Sequence, residues 1–216
     1  MTVPKKRGPR GPYAKSVERR SQILAATEWV FRMRGYRAGT LQEIADRAGM
    51  GQSSLLHHFP TKEALLRAVL IERDVRADDL VISGDISSMV VGLARENESN
   101  RGPVELYSVL LGEATTQDHP AREYFQERLE RVHTLYAQIL QGHADAGELR
   151  PGVDPSGAAS ALVALWDGTQ QQWLLGAPGV SVPDVLGRYL ALLFTDEGMP
   201  EGLRPYSGRS LAGQAE

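Results

Sequence analysis

Twenty residues, Thr40 to Phe59, constrain this chain more than any other stretch: TLQEIADRAGMGQSSLLHHF. Thr40 and Glu43 stand three apart ahead of an apolar run. That is the pattern of a capping box, so a helix is expected to start at Leu41. Leu41, Ile44, Ala45 and Ala48 fall on one stripe of that helix. Gly49 can take the left-handed conformation that stops it, and Met50 is expected to fill the corner. Leu55 and Phe59, four apart, belong on the buried face of a second short helix. Gln52, Ser53, Leu56 and His57 then point outward, with Ser54 and His58 at the edges. Two helices joined by a glycine turn, the second small and mostly polar, have the shape that enters the major groove of DNA. The competing reading is an ordinary helical hairpin inside an all-α core.

The flanks favour the first reading. Ile23, Leu24, Thr27, Val30 and Phe31 recur at helical spacing over residues 17–34, and Gly35 follows as a stop. Such a helix can cover the apolar stripe behind it. Downstream, Thr61 is an N-cap candidate, and Ala64, Leu65, Ala68 and Val69 carry the pattern into a fourth helix. Lys62 would sit in its first turn, where a cation opposes the helix dipole. That local cost suggests an anionic partner outside the protein for Lys62.

Charge is divided unevenly. Residues 1–67 hold thirteen Lys+Arg and five Asp+Glu, a formal +8, and the remainder holds eleven against twenty-two, or −11. The net charge of −3 therefore hides a basic head and an acidic body. A basic head suits a polyanion, and an acidic body keeps the rest of the chain off the phosphates. Residues 1–15 carry five cations and no acid, with Gly and Pro arguing against a helix. They read as an extended arm, either a solubilising tail or one that places Arg7 and Arg10 along the DNA backbone or minor groove.

Residues Arg19 to Val69 resemble the TetR family of bacterial transcriptional regulators. The resemblance rests on Ile23-Leu24, Phe31, Gly35-Tyr36, Thr40, Ile44-Ala45, Ala48-Gly49, Leu55, Phe59, Lys62-Glu63 and Leu65. It implies a three-helix DNA-binding head followed by a helical body that binds a ligand and dimerises. It also implies phosphate contacts for Thr40, Ser54, His58 and Lys62, with Gln52, Ser53 and Leu56 in or near the groove. Position 51 is Gly where the family usually has a capping Ser, and position 53 is Ser where Gly is frequent. Position 56 is Leu where a Tyr is usual. Leu56 loses a hydroxyl contact but can meet a thymine methyl. Residues 164–175, ALWDGTQQQWLL, look like the penultimate helix of one large branch of the family.

The fold class expected is all-α. The organisation expected is an arm (1–16), a DNA-binding domain (17–77), a ligand-binding and dimerisation domain (78–195) and a loose Gly- and Pro-rich tail (196–216). In the body the boundary signals predict helices near 84–98, 103–116, 120–144, 155–175 and 182–195 after one at 62–81. The last two are apolar on more than one face, so Leu162, Trp173, Leu186, Leu190 and Leu193 are expected at a homodimer interface. Met89, Tyr107, Leu110, Leu111, Tyr124, Phe125, Leu129, Trp166 and Gln170 are candidates for a ligand pocket, each open to the alternative of plain core.

Composition removes several other chemistries. No run approaches 18 apolar residues, and no apolar segment follows the basic N-terminus, so neither a membrane span nor a signal peptide is expected. There is no cysteine, which excludes disulfides, thiol catalysis and thiolate metal sites and makes the cytoplasm the natural compartment. His57 and His58 are adjacent and diverge by about 100° on a helix, and His119, His133 and His143 are scattered, so no metal site is expected. Gly-x-Ser-x-Gly, phosphate-loop and dinucleotide motifs are missing. No cofactor and no enzymatic activity is expected. The partners expected are double-stranded operator DNA, a second copy of the chain and an unidentified small-molecule effector, with no membrane. The reading is a ligand-released repressor. Its rivals are a DNA-binding protein of this fold without a small-molecule effector, controlled by a protein or architectural, and an activator.

Overall fold

A computed structural model describes residues 12–81 and 85–207. In chain order the helices are α1 (Pro12–Ala38), α2 (Leu41–Arg47), α3 (Gln52–His58), α4 (Lys62–Val81), a π-type turn (Ser88–Gly92), α5 (Leu93–Ser99), α6 (Arg101–Ala114), α7 (Arg122–Asp145), α8 (Pro155–Leu174), α9 (Val182–Leu193) and a 3₁₀ segment (Glu201–Tyr206). Among the described residues there is no strand, only a single antiparallel bridge between Leu149 and Phe194. The chain forms two compact units that meet at Ile71 and Glu72, within α4.

In the head, α1 begins at Pro12, so residues 12–16 are helical and not part of an extended arm. Proline suits the first position of a helix, because its missing N–H has no partner there and its φ is already helical. Arg7 and Arg10 lie outside the described residues. Gly35 breaks α1 with φ 74° and ψ 170°, a backbone that only glycine takes without strain. Ile23, Leu24, Thr27, Val30 and Phe31 are buried, and the Thr27 hydroxyl donates to the Ile23 carbonyl at 2.8 Å. Ile44 and Ala45 of α2, Leu55 and Phe59 around α3, and Leu65, Leu66, Val69 and Leu70 of α4 complete the core.

In the body, α7 packs along α8, and α8 along α9. The Tyr189 hydroxyl of α9 donates to the Ala158 carbonyl of α8 at 2.9 Å. Asp154 caps α8 through the Gly157 N–H at 2.8 Å, and Ser181 caps α9. The expected loose tail is in part structured. Met199 and Leu203 are buried in the core, and Arg95 donates to the Tyr206 hydroxyl at 3.1 Å. Leu203 is apolar enough to bind this polar segment to α9, which the tail's Gly and Pro content disguised.

Candidate nucleic-acid interface and effector cavity

The motif of the head is built by local capping. Thr40 Oγ1 accepts from the Glu43 N–H at 3.1 Å, and the Glu43 carboxylate accepts from the Thr40 N–H at 3.0 Å. Donation to that carboxylate from the Thr40 N–H, and then from the Thr40 hydroxyl, lowers the Glu43 pKa. Gly49 turns the chain at φ 64°, and the extended Gly51 caps α3 without a side-chain bond. Met50 is half-buried at the corner. Leu55 and Phe59 anchor α3 inward, which leaves Gln52, Ser53, Ser54 and His57 exposed and Leu56 and His58 half-buried. There is no acid in the first turn of α3 to repel a phosphate.

Two predicted contact residues already have partners inside the head. The Thr40 hydroxyl is held in the capping box. Lys62 Nζ donates to the Arg37 carbonyl at 3.3 Å and lies 4.6 Å from the centre of the Tyr36 ring. A carbonyl and an aromatic face therefore offset the unfavourable dipole position, and no outside anion is needed to account for it. Two further cations are stacked on aromatic rings, with no trace in the residue pattern. Arg47 lies 3.7 Å over Trp29, and Arg20 lies 4.6 Å over Phe59. The stacking fixes each guanidinium on the surface of the head.

The body holds a cavity of about 240 Å³. Three predicted pocket residues line it: Tyr107, Leu129 and Trp166. The other six do not. Met89, Leu110 and Phe125 are buried as plain core, and Leu111 is half-buried outside the cavity. Tyr124 turns its hydroxyl to Asp74 at 2.7 Å. Gln170 is buried, with neither end of its amide hydrogen-bonded. The cavity also has a charged wall that no aromatic or aliphatic pattern marks: Arg73, Arg128, Arg131, Glu96 and Asp167.

Asp74 organises one end of that wall from α4. Its carboxylate accepts from Arg128 at 2.9 Å and Arg131 at 3.0 Å as well as from Tyr124. Burial, then the hydrogen bond to Asp74, pushes the Tyr124 pKa up. Burial also raises Tyr107 and pushes Tyr136 up to about 12, so all three phenols stay protonated at neutral pH. On α8, burial raises the Asp167 carboxyl even though Arg128 and Arg73 pull it down.

The predicted interface residues need correction. Leu162, Leu186 and Leu190 are 0 % exposed within a single chain, and Leu193 is buried too. The π-type turn, α5, α8 and the 3₁₀ segment surround α9 and take up its several apolar faces. Trp173 is half-buried under Arg101, whose guanidinium lies 5.3 Å from its ring. The large apolar side chains left outside on these helices are Leu175, 87 % exposed at the end of α8, and Leu192 of α9, 70 % exposed.

The histidines of the body serve local structure. His133 lies 3.2 Å from the Ser156 carbonyl, and His143 lies 2.5 Å from Glu148. Among the described residues, no three His, Cys, Asp or Glu side chains gather as metal ligands, and no helix is long and apolar enough to cross a membrane.

Known proteins match both units. A family model described as bacterial regulatory proteins, tetR family, matches residues 23–69. A second, the BetI-type transcriptional repressor C-terminal model, matches residues 85–195, half of the chain. The HTH-type transcriptional repressor KstR2 of Mycobacterium tuberculosis is 28% identical over 145 residues, 63% of this chain and 72% of its own length. The HTH-type transcriptional regulator TtgR of Pseudomonas putida is 28% identical over 185 residues, 79% of this chain and 85% of its own. In fold, the chain is similar to SmeT, the repressor of a Stenotrophomonas maltophilia multidrug efflux pump. The TM-score is 0.70 at 20% identity over 84% of this chain and 93% of SmeT. SmeT has also been solved in complex with triclosan.

Proposed function

Since the chain belongs to the TetR family and is a DNA-binding transcriptional regulator, we propose that it is a homodimeric repressor released from its operator by a small molecule. The observation that carries the DNA contact is α3, anchored by Leu55 and Phe59 and presenting Gln52, Ser53, Ser54 and His57 to solvent. Gln52 and Ser53 read base edges, with Leu56 against a thymine methyl at their side. Ser54, His58, Thr40 and Lys62 sit near the phosphates, and Lys62 reaches a phosphate only by giving up or sharing the Arg37 carbonyl. Arg7 and Arg10, outside the described residues, meet the phosphate backbone or the minor groove in this reading.

Gln52→Ala is expected to cost about 1–3 kcal/mol on the operator and to relax preference at one base pair, adenine being the natural partner of glutamine. Fluorescence anisotropy on operator and random DNA checks this. Equal losses on both would move Gln52 to the backbone contacts.

The effector enters the cavity of the body and shifts the population of dimers toward one whose two heads no longer match successive major grooves. The protein acts in the cytoplasm and has no enzymatic step. The triclosan complex of SmeT, a repressor of the same fold, supports the reading of the cavity. Titrating an operator complex with candidate ligands tests it. A complex that no ligand releases would favour the rival without an effector, and an operator lying upstream of the promoter would favour activation.

Self-association uses the outer faces of α8 and α9. Ala161, Leu165, Gly168 and Leu175 share one side of α8, and Val185, Tyr189 and Leu192 share one side of α9. Leu192→Arg is expected to yield folded monomers, because the side chain is exposed in the single chain and its loss disturbs no core. Operator affinity would fall steeply as the avidity of two half-sites is lost. Sedimentation of the folded variant decides it, and a variant that stays dimeric moves the interface elsewhere.

A further inference from the structure

The cavity of the body is lined by two chemically different groups of side chains. In one, Arg73 and Arg128 both lie against the Tyr107 ring, 4.1 Å and 5.4 Å from its centre. Among the described residues, the acid within 4 Å of either is Asp74, at 3.8 Å from Arg73 and 2.9 Å from Arg128. Asp74 also holds Arg131 and the Tyr124 hydroxyl. Three guanidiniums thus share one carboxylate.

The sharing is incomplete. Nη1 of Arg73 and Nε of Arg128 are buried without a hydrogen-bond acceptor. A desolvated cation in that condition is costly until an acceptor reaches it. Burial, then the like charge of Arg128, holds the Arg73 pKa below the usual arginine range. The second carboxyl of this wall does not supply the missing acceptor. Asp167 makes no hydrogen bond among the described residues, and its burial favours the neutral acid. The lining also holds Leu93, Leu129, Val132, Leu135, Val163 and Trp166 as apolar surface, with Glu96, Asn97 and Asn100 of α5 and its end among them. The cavity volume, about 240 Å³, falls just below the roughly 300 Å³ at the small end of ligand pockets.

The geometry points to a small organic carboxylate as the effector, its anionic group at Arg73 and Arg128 and a short apolar or aromatic body along Trp166. This rests on the reading of the cavity as the effector site. A carboxylate supplies the acceptor that Arg73 and Arg128 lack, and an arginine fork matches it in a bidentate fashion. The Asp167 carboxyl, whose pKa burial raises, is a weak competitor for the same arginines. The contrary arrangement, a cation held by ionised Asp167 against the aromatic rings, is the outcome the experiment is built to detect.

Calorimetric titration of the full-length protein with phenylacetate, phenylacetamide and phenethylammonium compares an anion, a neutral near-isostere and a cation. Phenylacetate is expected to bind about ten- to a hundredfold tighter than the amide, the ratio that charge-assisted hydrogen bonds support. Arg73→Met should erase that ratio and leave the amide where it was, which also shows that the cavity survives the change. Asp167→Asn, an independent variant with no buried cation removed, should tighten phenylacetate modestly by withdrawing a competing carboxyl from the wall. Tightest binding of phenethylammonium, lost in Asp167→Asn, would overturn the carboxylate and leave the effector site standing. Equal binding of all three would do the same. Binding of none at millimolar concentration would overturn both.

Discussion

Asp74→Ala should lower the stability of the body by about 3–5 kcal/mol, the cost of leaving buried charges without their partner. The side chain of Asp74 is 12% exposed and is the shared acceptor for Arg128, Arg131 and Tyr124. Arg131 is 56% exposed and can return to water when the carboxylate goes, so its share of the loss is small. Arg73 and Arg128 cannot, because their side chains are only 14% and 16% exposed and lie against the Tyr107 ring. For a domain of this size the expected fall in melting temperature is roughly 2–4 °C per kcal/mol, measured by calorimetry. Asp74→Asn should lose less, since an amide oxygen still accepts from Tyr124. A fall under about 2 °C for Asp74→Ala would show that the arginines rearrange around the gap.

Leu190→Arg is the second large effect, and its expected form follows from burial. A leucine outside the chain's own core would, as arginine, simply separate two subunits. Leu190 is 0 % exposed within one chain, so the arginine has nowhere to place its charge. The body should unfold, at a cost of several kcal/mol. Near-ultraviolet circular dichroism and a sedimentation profile together check this. The signature is lost tertiary signal or aggregation, in contrast to the folded monomer expected of Leu192→Arg. A folded, monomeric Leu190→Arg would return that leucine to the interface.

The contrast between these two leucines shows what the sequence could reveal. Amphipathic pattern counts apolar faces but does not say how many neighbours a helix has. α9 is apolar over most of its circumference, which suggested a partner chain. Its partners are the π-type turn, α5, α8 and the 3₁₀ segment, the last formed by residues whose Gly and Pro content pointed to a loose end. The head was legible for the opposite reason. Thr40 with Glu43, Gly49, and Leu55 with Phe59 act over three to ten residues, where helical periodicity and capping chemistry operate. The cavity was half legible. Tyr107, Leu129 and Trp166 line it, but its charged wall depends on Asp74 meeting Arg128, 54 positions away. Pairing at that distance leaves no periodic trace in the sequence.

The 3₁₀ segment gives the two units different folding clocks. The core of the head closes using residues 23–70. In the body, Gly202 lies against Ser87, and Arg95 bonds to Tyr206 across 111 positions. Closing such a loop costs entropy before any contact repays it, and chains rich in distant contacts fold slowly. The head can therefore reach its native core while α9 still waits for its last covering turn, its leucines facing water.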